Sequence, residues 1–313
     1  MKFTESSFIS ASSADRRVVY SVYEPDDARP HAVLQISHGM CEYIGRYEDF
    51  ARYLTAHGVI VCGNDHIGHG RSIGEDSELG YIPRGGAEYL VEDVHKLTAL
   101  MKSRFPDLPY FLLGHSMGSF VARLYLSKYG AELDGAVIMG TGGPGNPTGI
   151  AKLLARLIAA FRGGRHRSKL INSIAFGSYN ARCGKGCAEY AWLTRNEEIV
   201  ARYTADKYCN FVFTCDAFHT LFDMLGRVSK KSWATTLPRE LPILIVSGEQ
   251  DPVGGYGKGV QTVFERIKAA GVRDVRLKMY LEDRHEVLNE LDRETVYADI
   301  LAWMRENISE RYI

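Results

Sequence analysis

Short runs of apolar, β-branched residues alternate along this chain with longer stretches of helical spacing, a rhythm that builds a largely parallel sheet covered by helices. The runs at Ser7 to Ser10, Arg17 to Tyr23, Ala32 to Ser37, Val59 to Gly63, Tyr110 to Leu113, Gly135 to Met139, Ile243 to Ser247 and Val275 to Tyr280 predict eight strands. Helical patterns fall at about Tyr47 to Ala56, Ala87 to Arg104, Gly118 to Tyr129, Lys258 to Ala270 and Glu294 to Glu306. The first two strands are joined by a short link and predict an antiparallel edge.

The rhythm breaks between about Gly142 and Leu237. The interval opens on a Gly/Pro-rich segment, Gly140 to Gly149, that continues neither a strand nor a helix, and it closes near Pro238, just ahead of the next buried run. Within it, Tyr190 to Tyr203 and Phe218 to Ser229 have helical spacing. These features predict a core of residues 1–141 and 238–313 interrupted by a helical lid, residues 142–237. Ligands of open parallel sheets bind outside the carboxyl ends of the strands, so the lid is expected there.

Composition narrows the function classes. The 38 Lys plus Arg balance 38 Asp plus Glu, which leaves no global reason to expect nucleic acid as a partner. With 45% hydrophobic and 24% charged residues, a chain of 313 residues buries a sizeable core, which argues against disorder. No stretch approaches the ~18 to 20 uncharged apolar residues of a spanning helix. The N-terminal stretch lacks the apolar core of a signal peptide and carries Glu5 and Asp15, so a cytoplasmic protein is expected. That location favours thiols for the six cysteines, and Cys183 and Cys187 lack the paired spacings of common zinc sites.

Chemistry enters at Gly114-His115-Ser116-Met117-Gly118, directly after one predicted strand and directly before a helix. This is G-x-S-x-G in its required setting, since a sharp strand-to-helix turn needs small flanking residues to expose a serine in a strained conformation. A serine hydroxyl is a poor nucleophile until a base takes its proton, and that base needs a carboxylate to hold its tautomer. His285 and Asp251 each follow a predicted strand, and the order Ser116, Asp251, His285 suits an α/β-hydrolase triad. Glu249 and Asp283 remain rival acids. Oxyanion donors are expected from the backbone N–H groups of Met117 and of Met40, in the loop Ser37-His38-Gly39-Met40.

Two other segments invite a reading. His66 and His69 sit beside Asp65 in a Gly-rich loop that does not present them on one helical face, so a supporting role for the neighbouring turns is preferred to a metal site. Ile150, Leu153, Leu154, Leu157, Ile158 and Phe161 recur at helical spacing, while residues 150–170 carry Lys152, Arg156, Arg162, Arg165, Arg167 and Lys169 and no acid. One reading is a lid helix with its apolar face on the pocket, so that Leu154 and Leu157 bind substrate, and a solvated basic face. The other is contact of the basic face with anionic lipid.

Taken together, Ser37 to Tyr47, Asp65 to Ser72, Gly114 to Gly118, Asp251 to Val253 and Arg284 to Glu290 resemble the α/β-hydrolases of the monoacylglycerol lipase and lysophospholipase type. Trp192 to Asn196 and Asp206 to Thr214 extend the resemblance across the lid to bacterial members. It implies an eight-stranded, mostly parallel α/β-hydrolase sheet, ester hydrolysis without metal or cofactor, and a small lipophilic ester or single-chain acyl lipid as substrate. Met40 stands where members of the group often have a small residue, which implies a narrower acyl entrance. A proline iminopeptidase-like aminopeptidase is the competing enzyme class, and it would use Glu197, Glu198 or Asp206 to hold a substrate ammonium. The same fold also serves as a non-catalytic ligand receptor in some chains, a role that an intact triad disfavours.

Overall fold

The computed structural model describes residues 1–26, 29–144 and 148–308. One sheet contains β1 (Lys2–Ile9), β2 (Arg17–Glu24), β3 (Ala32–Ser37), β4 (Val59–Asn64), β5 (Tyr110–His115), β6 (Gly135–Met139), β7 (Ile243–Gly248) and β8 (Val275–Tyr280), in the spatial order β1-β2-β4-β3-β5-β6-β7-β8. β1 and β2 form an antiparallel edge, β2 lies antiparallel to β4, and the remaining pairs are parallel. Strands β3 to β7 are buried along their whole length. Continuous apolar strands are what a sheet covered on both faces requires.

The helices are α1 (Glu48–Ala56), α2 (Gly86–Arg104), α3 (Met117–Tyr129), α4 (Thr148–Arg162), α5 (Lys169–Phe176), α6 (Glu197–Ala205), α7 (Cys215–Val228), α8 (Lys231–Ala234), α9 (Lys258–Ala269) and α10 (Arg293–Glu306). On one face of the sheet, Phe50 and Leu54 of α1 and Ile300 and Trp303 of α10 pack with Leu34, Val61 and Phe111. On the other, Leu90 and Val94 of α2, Val121 of α3 and Val260 of α9 pack with Val33, Ile60 and Leu112. Helices α4 to α8 lie between β6 and β7 in sequence. Arg123, buried in α3, holds both ends of that interval: it donates to the carbonyls of Gly142 and Val228 and stacks over Trp233 at 4.1 Å. No helix among the described residues is long and apolar enough to cross a membrane.

Four elements differ from the sequence reading. β1 begins at Lys2, well before Ser7, because this edge strand is mostly exposed and carries no apolar alternation to read. The pattern from Tyr190 becomes helical only at Glu197, where the Asn196 side chain accepts from the N–H groups of Glu198 and Ile199 and caps α6. Residues before that cap instead run along the His285 loop, with the carbonyls of Trp192 and Leu193 accepting from His285 and Glu286. Helices α5, capped by Ser168, and α8 have no counterpart in the sequence reading. Gly145, Asn146 and Pro147 of the Gly/Pro-rich segment lie outside the described residues.

Candidate active site

Three loops leave the carboxyl ends of β3, β5 and β7, and each contains a non-glycine residue with positive φ: Cys41 at 55°, Ser116 at 52° and Tyr256 at 55°. Such backbone costs about 1–3 kcal/mol per residue and persists only where its surroundings enforce it. For Ser116 the enforcement is steric. A Cβ on Gly118 would lie 2.0 Å from the Ser37 carbonyl oxygen, and one on Gly114 would lie 2.4 Å from the Gly118 carbonyl oxygen. The two glycines therefore let the start of α3 press against β3 and β5 while Ser116, at the turn, stays partly exposed. Its N–H donates to the Met139 carbonyl at 3.0 Å, tying the turn to β6.

Asp251 is fully buried in the loop after β7. One of its oxygens, Oδ1, accepts the Val253 N–H at 2.8 Å, and Oδ2 lies 3.0 Å from Nδ1 of His285. With Nδ1 engaged there, Nε2 is the nitrogen left to exchange a proton with a substrate or hydroxyl. The His285 ring is wedged between Trp192 and His115, with centroids 5.1 and 4.9 Å away. Of the rival acids, Asp283 is engaged by Arg195 at 2.6 Å, and burial together with Glu290 and Asp292 pushes its carboxyl up to about 7. Glu249 is half-buried and makes no hydrogen bond to His285 among the described residues.

Ser116 and His285 open on one cavity of about 630 Å³, lined also by Met40 and Met117. Among the described residues, neither the Met40 nor the Met117 N–H donates to a protein acceptor. The walls are largely apolar: Phe120, Phe176, Phe211, Leu221, Phe222 and Leu225 come from α3 and from the helices and loops between β6 and β7. The sequence reading gives no role to Trp192, Tyr179, Glu42 or Glu286, which line the same space. Glu42 and Arg46, four residues apart in an otherwise uncharged stretch after β3, were the available signal for a buried ion pair.

The supporting role expected of the His66 loop has a concrete form. Asp65 accepts the N–H groups of Ile44 and Arg71 at 2.9 and 2.8 Å, and His38 Nε2 accepts the His66 N–H at 2.8 Å. Burial holds both His38 and His66 below the usual imidazole range.

The placement of α4 corrects the expectation for Leu154 and Leu157. Neither lines the cavity; Ala151 and Thr148 are the α4 residues that do. Leu154 is half-buried against the main core, while Leu157 is 49% exposed and lies in a separate depression with Ile158, Phe161, Arg162, His166 and Ser168. The physical reason is a second face. Ala155 and Ala159, one and two turns on from Ala151, are buried and let α4 approach α7 closely, so Ile150, Leu153, Leu157 and Phe161 turn outward. Of the basic residues, Lys152 pairs with Asp223, and Arg167 donates to the carbonyls of Ser77, Leu79 and Val212.

Residues 28–292 match the serine aminopeptidase S33 family. The chain is 29% identical over 292 residues to a monoacylglycerol lipase of Mycolicibacterium smegmatis, covering 92% of each chain. It is 32% identical to a monoglyceride lipase homologue of Monkeypox virus, covering 93% of this chain and 95% of that one. Among solved structures, a thermostable carboxyl esterase from Bacillus coagulans superposes with a TM-score of 0.92 at 29% identity, over 99% of this chain and all of the other.

Proposed function

Because the chain belongs to the serine aminopeptidase S33 family and is a carboxylic ester hydrolase of the α/β-hydrolase fold, we propose that it cleaves monoacylglycerols or similar single-chain esters through an acyl-enzyme on Ser116. In this reading Ser116 Oγ attacks the ester carbonyl carbon as its proton passes to His285 Nε2, and the N–H groups of Met40 and Met117 receive the developing oxyanion. The bond to the alcohol then breaks, and His285 returns the proton to the departing oxygen. Water, deprotonated by His285, attacks the acyl-enzyme carbonyl and regenerates Ser116. Asp251 stabilises the imidazolium in both halves.

The observation that carries the reading is the opening of Ser116 and the Asp251-bound His285 onto one apolar cavity large enough for a single chain. The aminopeptidase alternative loses its support in the geometry. Glu197 and Glu198 are exposed, Asp206 accepts from Tyr43, and none of the three lines the cavity. Of the carboxylates that do reach it, Glu42 and Glu286 are already bound by Arg46, and Glu189 is exposed to solvent. A panel of p-nitrophenyl esters, monoacylglycerols, lysophospholipids and a prolyl-arylamide tests the reading. Turnover is expected on the monoacylglycerols and aliphatic esters, and preference for the prolyl-arylamide would overturn it.

A specific feature also favours contact with lipid surfaces. Ile150, Leu153, Leu157 and Phe161 of α4 and Leu170 and Ile174 of α5 are all at least 49% exposed, beside exposed Arg156, Arg162 and Lys169. An apolar patch rimmed by cations fits an interface containing anionic lipid. Sinking a large side chain into that interface contributes about 1.5–3 kcal/mol. The double substitution Leu153→Glu with Phe161→Glu is therefore expected to weaken binding to anionic phospholipid vesicles at least ~10-fold while leaving turnover of a short soluble ester unchanged. Vesicle binding equal to the parent's would show that the patch does not meet lipid.

A further inference from the structure

Under the cavity lies a cluster of buried charges that the reaction scheme above does not use. Glu42 is 3% exposed and Glu286 4%. On Glu42, Oε1 accepts from the Gly39 N–H, from the Tyr47 hydroxyl at 3.0 Å and from His115 Nδ1 at 2.9 Å, while Oε2 accepts from Arg46 at 3.0 Å. Arg46 then grips Glu286 with two parallel bonds of 2.7 Å, and Asn289 donates to the same carboxylate at 2.8 Å. His115 Nε2 faces the His285 carbonyl oxygen at 3.4 Å.

The positions of these contacts matter more than their number. Gly39 precedes Met40, His115 precedes Ser116, and Glu286 follows His285. One carboxylate therefore touches the oxyanion turn and the serine elbow directly, and through Arg46 it reaches the histidine loop, whose relative placement defines the reacting geometry. The approach leaves no slack: a Cβ on Gly39 would lie 2.6 Å from Glu42 Oε1 and 3.0 Å from the Ser116 Cβ.

The charge states agree with this. Burial pushes the Glu42 carboxyl up, but His115 and Arg46 beside it outweigh that and hold it well below the carboxylate range. Burial likewise pulls His115 down, and the Glu42 carboxylate more than reverses the effect. The His115 ring bridges two of the loops, with Nδ1 at Glu42 and Nε2 facing the His285 carbonyl. Buried, fully hydrogen-bonded networks of this kind are stiff, because loosening any member leaves another charge unpaired.

We propose that Glu42 is a positioning residue that locks the oxyanion turn, the serine elbow and the histidine loop into one arrangement. The proposal rests on the ester-hydrolase reading of Ser116, and its test keeps the two apart. Parent, Glu42→Gln and Arg46→Lys proteins are titrated with a fluorophosphonate to count active sites, then assayed on a short soluble ester and with an alkylboronic acid, whose tetrahedral adduct needs the oxyanion donors. Gln offers an oxygen to Gly39 but no charge to Arg46 and His115, and Lys keeps the charge of residue 46 without its two-pronged grip.

Both variants are expected to lose ~10- to 100-fold in kcat per titrated site with KM within about twofold, and boronate affinity should fall in parallel with kcat/KM. Arg46→Lys leaves the Glu42 contact to Gly39 in place and decides the matter if Glu42→Gln does not fold. A kcat per titrated site equal to the parent's in the folded variants, with fewer sites titrated, would assign the cluster to stability alone and overturn the proposal. Boronate affinity unchanged while kcat falls would overturn it as well. Failure of the fluorophosphonate to label Ser116 in the parent would remove the ester-hydrolase reading and this proposal with it.

Discussion

Replacing Ser116 with alanine is expected to abolish covalent labelling by a fluorophosphonate and to reduce ester turnover to the residual ~10³- to 10⁴-fold acceleration over water that binding and oxyanion donors supply on their own. Ser116 stands at the elbow with φ 52° and ψ −120°, its N–H tied to Met139 and its carbonyl oxygen accepting from the N–H and the hydroxyl of Ser119. These restraints are backbone features and survive the loss of Oγ, so the variant should fold and bind substrate as the parent does. Mass spectrometry of the labelled parent locates the adduct. An adduct on any serine other than Ser116, or substantial turnover by the alanine variant, would displace the nucleophile assignment.

The second large effect is expected at Asp251. Substitution by asparagine keeps the shape but places an amide where a carboxylate now accepts from His285 Nδ1 at 3.0 Å. The imidazole then favours the tautomer that puts its proton on the wrong nitrogen, and the imidazolium formed during attack loses its counter-charge. A fall in kcat on the order of 10⁴ is expected, with KM little changed. Glu249→Gln, two residues upstream, should change kcat by less than about tenfold, since a polar substitution at a half-buried position outside the contact removes no interaction from the reacting groups. Steady-state kinetics on one soluble ester separates the two, and a reversed ranking would move the acid to Glu249.

The serine elbow was legible because its requirement is local: two glycines at fixed offsets, a strand before and a helix after, all within five residues plus their flanks. His285 and Asp251 were narrowed by chain order and by their place after predicted strands, while Glu249 and Asp283 stayed open as acids. A carboxylate's partner depends on where neighbouring loops turn: Asp251 reaches His285, while Asp283 is held by Arg195. The full cluster around Glu42 was only partly legible, for a related reason. Glu42 and Arg46 are neighbours in sequence, but the Glu286 carboxylate that completes the cluster lies 240 residues from Arg46.

The amino-acid sequence by itself determined the sheet's composition, the strand-to-helix turn at Ser116 and the alternation that places loops at one edge, because each follows from backbone sterics and hydrophobic spacing over a few residues. The tertiary structure alone decided which face of α4 turns inward. Helical spacing shows that Leu153, Leu157 and Phe161 share one side and Ala151, Ala155 and Ala159 another, yet it cannot rank burying bulky side chains at a distance against packing alanines in close contact. That choice depends on how near α7 comes, and its closeness leaves the larger side chains exposed.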